Sequence, residues 1–138
     1  MKSKEFIDKL EYIVTGACIE VHKFLGPGML ESLYKKCLIT ELLLRDIKFV
    51  VEKSLPLNYK GTLLDTTLRA DFLIEDCLIL EIKAVEILLP VHDAQTLSYM
   101  KLFKVPKGIL INFNCTNIVK NGKRPFVNEF YTKIELLT

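Results

Sequence analysis

One stretch limits the folds open to this chain: RADFLIEDCLILEIKA at residues 69–84. Two short apolar runs flank Glu75 and Asp76, so the stretch reads as two strands around a tight turn. Three charges interrupt the runs: Asp71, then Glu81 and Lys83. An unpaired charge in a buried strand costs on the order of several kcal/mol, so three of them in one hairpin demand polar partners. Alternate residues of a strand share a face. Glu81 and Lys83 therefore point one way, and Leu80, Ile82 and Ala84 the other. An acid on one strand, with an acid and a lysine on its partner, can hold a hard cation and position a water. The same three residues also suit a structural ion-pair cluster between strands, and the hairpin alone leaves both readings open.

The rest of the chain supplies layers for that hairpin. Phe6, Leu10, Ile13, Val14, Ala17, Val21 and Phe24 recur at helical spacing, which predicts a helix over residues 3–25 with Ser3 as its N-cap. Gly26, Pro27 and Gly28 end it. A second helix is expected over 30–44, with Leu30, Leu33, Leu38 and Leu42 facing the core; Glu31 and Tyr34, three apart, are neighbours on its surface. His22, at the end of the first helix, reads as a surface residue or a partner of the helix dipole. Residues 46–55 turn extended until Pro56 breaks them. Residues 57–59 and 62–68 form a hairpin about Lys60 and Gly61, and the expected sheet is mostly antiparallel with 78–83 as its last strand. A linker at 85–90 precedes a helix over 91–103. The apolar run 109–113 suits a buried central strand. Residues 114–122 read as a polar loop with a turn at Asn121 and Gly122, and 126–131 as a final edge strand. Ile134, Leu136 and Leu137 are placed to pack on the core or on a second subunit.

With 138 residues, half of them apolar, the chain is sized for one domain (residues 1–138) with one core, and a disordered class is excluded. No stretch is long and apolar enough to span a membrane. The start lacks the apolar centre of a signal peptide, which makes the cytoplasm the expected address. Cys18, Cys37, Cys77 and Cys115 are scattered without metal-ligand spacing and read as small hydrophobes. Net charge is only +2, but residues 94–128 contain no Asp or Glu and hold Lys101, Lys104, Lys107, Lys120, Lys123 and Arg124. Such a segment is the footprint expected for a polyanion such as nucleic acid, or it is an ordinary solvated lysine face.

Several short motifs occur together with the charged hairpin: GMLESLY at 28–34, RAD at 69–71, EIKAVE at 81–86, PVHDAQ at 90–95 with Tyr99 four residues on, and GILINFN at 108–114. In this combination and order the chain resembles the GxxExxY proteins, a branch of the PD-(D/E)XK nuclease superfamily, over roughly residues 6–128. Ala70 stands where the superfamily's name has proline. The resemblance implies an α/β fold with a central mixed sheet flanked by helices, and an activity on nucleic acid. It implies that Asp71, Glu81 and the backbone carbonyl of Ile82 hold Mg2+ or Mn2+, that Lys83 orients the attacking water, that Glu31 is the helix acid of the site, and that Gln95 and Tyr99 are its helix-borne polar pair. Oxygen donors favour those ions over zinc. The expected function is metal-dependent phosphodiester hydrolysis in DNA or RNA; the alternative is a nuclease-fold module that binds nucleic acid or protein without cutting. A chain this small is expected to take its target recognition from a partner protein or a homodimer.

Overall fold

The computed structural model describes residues 2–137, and side chains over residues 2–134. Helix α1 (Lys4–Leu25) opens with the Ser3 hydroxyl accepting from the Phe6 N–H at 3.1 Å, and Gly26 ends it at φ 70°. Its buried stripe is Ile7, Leu10, Val14, Ala17, Cys18 and Val21. Phe6 and Phe24, expected on that stripe, are exposed. Helix α2 (Glu31–Leu44) buries Tyr34, Leu38 and Leu42, a seam at strict four-residue spacing. Leu30 and Leu33 lie off that seam and are exposed, contrary to expectation; Leu30 precedes the first helical residue, and Tyr34 takes the core position. The Tyr34 ring stacks on Phe113 at 4.5 Å. Its hydroxyl donates to the Gly26 carbonyl at 2.5 Å and accepts from the Met29 N–H at 3.2 Å, which locks the turn between the helices.

Five strands form one mixed sheet in chain order: β1 (Phe49–Tyr59), β2 (Thr62–Ile74), β3 (Leu78–Lys83), β4 (Lys107–Asn112) and β5 (Lys123–Val127). All neighbours are antiparallel except β3 and β4, which run parallel. The parallel step needs a crossover, and helix α3 (Pro90–Phe103) provides it. The strand at 78–83 is thus the middle of the sheet rather than its last member. One face of the sheet, with Phe72, Ile74, Leu80, Ile82, Ile109 and Ile111, packs on α1 and α2. The other face carries Leu73 and Ile79 and meets Met100 of α3. The fit there is tight: a Cβ at Gly108 would fall 2.5 Å from the Met100 sulfur.

Pro56 does not end β1, as expected, but sits inside it. β1 is an edge strand, where a missing N–H leaves no ladder bond unmade, and the β1–β2 register slips just after it, between Pro56 and Asn58. Lys60 and Gly61 turn the hairpin at positive φ. The end of the chain also departs from the sequence reading. Residues 118–122 form a single π-helical turn (Ile118–Gly122) rather than loop. β5 begins at Lys123, and the Asn128 side chain accepts from the Phe130 N–H at 3.1 Å where helix α4 (Glu129–Leu137) starts. A capping asparagine thus stops the strand that was expected to run to residue 131. Ile134 is buried on the core, while the side chains of Leu136 and Leu137 lie outside those described. Cys18 and Cys77 are buried, and Cys37 and Cys115 partly so; burial pushes the Cys18 thiol up to about 12. Among the described residues no helix is long and apolar enough to cross a membrane.

Candidate active site

The site forms where the β2–β3 ladder ends. Only Phe72, Leu73 and Ile74 pair with β3, against Leu80, Ile79 and Leu78. One residue further on, Asp71 meets Glu81, and carboxylates replace the carbonyls that would continue the ladder. The Asp71 N–H donates to Glu81 Oε1 at 3.3 Å, and the Ile82 N–H donates to Asp71 Oδ2 at 2.8 Å. On the far side of β2, the pairs of Val51 with Phe72 and Lys53 with Ala70 bracket Glu52, which has φ 52°. A non-glycine residue in that region is uncommon and marks a kink in β1 beside Asp71. From there residues 52–69 continue as a mostly exposed two-stranded ribbon.

Glu81 is 5% exposed. Burial, then the Asp71 charge and a hydrogen bond between the two carboxyls, push its pKa up to about 9, against smaller downward pulls from the Asp71 N–H and then Lys83. Two acids meet where water solvates them only in part, with Asp71 16% exposed at the side chain. Lys35 of α2 supplies positive charge: its ammonium lies 2.6 Å from Asp71 Oδ1. Burial alone would lower the Lys35 pKa, but Asp71, Glu31 and Glu52 together raise it. The Lys83 carbonyl accepts from the Phe113 N–H at 2.9 Å on the β4 side. Since successive residues of a strand direct their backbone groups to opposite edges, the Ile82 carbonyl faces the β2 side, where the ladder has ended.

Helix α3 covers the same face. Gln95 and Tyr99 hydrogen-bond at 3.4 Å, and Tyr99 senses the acids: burial first, then the charge of Glu81 and more weakly that of Asp71, raise its phenol. The structure therefore gathers Asp71, Glu81, Ile82, Lys83 and Tyr99, with Gln95 beside Tyr99. Glu31 is the outlier. It is exposed in the first turn of α2, one turn before Lys35, and its charge favours the cationic form of that lysine. Among the described residues no three His, Cys, Asp or Glu side chains converge as a cation cage, so the oxygen donors on offer are two carboxylates and one backbone carbonyl. That set suits a hard divalent ion.

Two residues of the site were not singled out from the sequence. Lys35 lies four residues after Glu31 and so on its face of α2, a signal that was present but eclipsed by Tyr34. Asn112, 4% exposed, brackets the backbone just after Lys83: its Oδ1 accepts from the Val85 N–H at 3.1 Å and its Nδ2 donates to the Val85 carbonyl at 2.9 Å. His92 and His22 have structural partners. His92 Nδ1 accepts from the Leu89 N–H at 2.9 Å, and His22 Nε2 bonds the Cys115 carbonyl at 2.8 Å.

Folding pairs half of the basic segment with acids. Lys107 and Lys123 each lie 2.7 Å from Glu11 of α1, and Arg124 lies 2.6 Å from Asp93. Lys107 pairs in register with Leu78, at the opposite end of β3 from Lys83. Half of the six cations thus lie in internal ion pairs, while Lys101, Lys104 and Lys120 stay exposed.

A family model described as the PD-(D/E)XK nuclease superfamily matches residues 8–125. No curated protein and no solved structure matches the chain.

Proposed function

The chain belongs to the PD-(D/E)XK nuclease superfamily, and from that premise we propose that it is a nuclease using Mg2+ or Mn2+ to hydrolyse phosphodiester bonds of nucleic acid. The observation that carries this reading is the buried contact of Asp71 and Glu81 at the end of the β2–β3 ladder. Asp71, Glu81 and the Ile82 carbonyl hold the cation. When bound, such an ion lowers the pKa of its water and neutralises charge building on the phosphate. Lys83, two residues from Glu81 on the same face, orients the attacking water or meets the phosphate with its ammonium. Asn112 fixes the backbone that follows Lys83. Tyr99 and Gln95 present a polar edge over the acids, where they position the scissile strand. Glu31 acts at one remove, through Lys35.

The finer assignment within the superfamily is the GxxExxY branch, supported by Gly28, Glu31 and Tyr34. In this fold Tyr34 locks the turn after α1, which gives that motif a structural sense. The whole chain acts as one domain in the cytoplasm, where nucleic acid and Mg2+ are both at hand. Target choice falls to a second copy or a partner protein. One observation favours a second reading, a module that binds nucleic acid without cutting: Lys35 already gives Asp71 a cation.

The test is cleavage of labelled single- and double-stranded DNA and RNA in Mg2+ or Mn2+, with Glu81→Ala purified identically. Metal-dependent cutting that the variant loses supports the nuclease. Binding without cutting, insensitive to chelator, supports the second reading, and neither binding nor cutting counts against both.

A further inference from the structure

Asp71 is gripped from two directions. The sheet holds Oδ2 through the Ile82 N–H at 2.8 Å. Helix α2 holds Oδ1 through Lys35 at 2.6 Å. Lys35 is no part of the strand pattern that carries Glu81 and Lys83. It comes from a different layer, and its backbone is set by its neighbour: Tyr34 is fully buried, stacked on Phe113 and tied to the Gly26 carbonyl. Both members of the ion pair are largely enclosed, with Lys35 20% and Asp71 16% exposed at the side chain. A lysine anchored in this way is not a surface charge that drifted onto an acid. It is a monovalent cation built into the position beside the candidate ligand.

We propose that Lys35 is a positioning residue that competes with the divalent cation for Asp71, serving as the acid pair's counter-ion while the site is free of metal and setting the cation concentration at which it fills. This rests on the reading of Asp71 and Glu81 as cation ligands. Two positive charges cannot both sit against one carboxylate in a partly desolvated site without repelling each other strongly. Entry of the ion therefore forces the ammonium away from Oδ1. The flexible four-carbon stem of lysine lets it swing aside while α2 stays in place. Its nearest other acids are Glu31, one turn back, and Glu52, at the kink of β1, both of which already act on it electrostatically. Either can receive the displaced ammonium, which gives the helix acid of the motif a concrete task.

Mn2+ titration of the wild type, Lys35→Met and Lys35→Arg by calorimetry tests this directly. Removing the competing charge tightens Mn2+ binding by roughly tenfold or more, whereas arginine, which keeps the charge, stays near the wild type. A merely structural tether would lower the melting temperature of Lys35→Met and leave its Mn2+ affinity unchanged, and that result overturns the proposal. A measurement on the wild type removes any dependence on how the variants fold: the NMR signal of the Lys35 Cε moves as Mg2+ is added, over the concentration range in which Mg2+ binds. A Lys35 signal indifferent to an ion that demonstrably binds also overturns it. Wild-type protein that binds neither ion refutes the cation-site reading itself, a failure distinct from unchanged affinity in Lys35→Met.

Discussion

Two ion clusters inside this molecule use the same side chains to opposite ends. In one, the single carboxylate of Glu11 lies 2.7 Å from each of two lysines, Lys107 and Lys123, joining α1 to β4 and β5. Burial alone would raise the Glu11 pKa, but the two lysines outweigh it and hold the carboxyl below its ordinary range. In the other, two carboxylates touch each other, one lysine serves Asp71, and burial with the Asp71 charge drives Glu81 up to about 9. The first cluster is closed: its acid has more positive charge than it needs. The second is open, and asks for a cation or a proton. Strongly shifted carboxyls of the second kind are enriched at sites that do chemistry. The two clusters thus differ in charge balance rather than in the mere presence of buried charge.

The largest effect that would break this contrast is loss of cleavage. Under the proposed nuclease reading, Asp71→Ala or Glu81→Ala should lower metal-dependent cleavage by at least about 10^3-fold, since the cation would stabilise most of the developing charge; Glu11→Gln should leave it intact once both proteins are shown folded. Stability reverses the order. Glu11→Ala leaves Lys107 buried without its partner and should cost about 3–5 kcal/mol in urea denaturation, with Mn2+ affinity unchanged. The pH dependences should also oppose each other. Glu81 binds its proton more tightly folded than unfolded, so its contribution to stability is full below its ordinary value of 4.5 and is lost as pH rises towards about 9. Glu11 is the reverse: its contribution is full above 4.5 and is lost as pH falls through its lowered folded value. Melting curves between about pH 5 and 9, without divalent ions, should fall for the wild type and flatten for Glu81→Gln. The smallest effect is expected at the turn that seats α2. Tyr34→Phe removes the hydroxyl bonded to the Gly26 carbonyl and should cost about 1 kcal/mol.

The hairpin was legible because its information is local. Alternation fixes which residues share a face, and the turn at Glu75 and Asp76, both at positive φ, brings Asp71 to Glu81 with no help from the rest of the chain. Glu81, Lys83, Gln95 and Tyr99 could be placed for the same reason, with a strand or helix period supplying each. What escaped depends on contacts between distant elements. No periodicity in α2 says that Lys35 reaches β2. Nor does a count of lysines after residue 94 say that Glu11, in the first helix, claims two of them. A basic run reads as a surface only until its partners are known. The misplaced helix residues have a related cause. Leu30 and Leu33 satisfy hydrophobic spacing, but the narrow contact of α2 with the sheet admits only Tyr34, Leu38 and Leu42. Pro56 reads as a break in sequence because nothing local says that β1 lies at the edge, where proline is tolerated. The final strand lies earlier than its pattern suggests because an asparagine that caps a helix looks, in sequence, like one in a loop.

The measurement that bears most directly on the open cluster is Mn2+ calorimetry near pH 7.5 in buffers of different ionisation enthalpy, which counts protons as well as ions. The raised value of Glu81, about 9, predicts a proton on its carboxyl at that pH in the metal-free protein, which a cation must displace to bind. The wild type should therefore take up a single Mn2+ and release close to one proton, and Glu81→Gln should do neither. Binding that survives in Glu81→Gln, or no binding by the wild type at all, would mean that the two acids are no cation site and that the contrast between the two clusters has another cause.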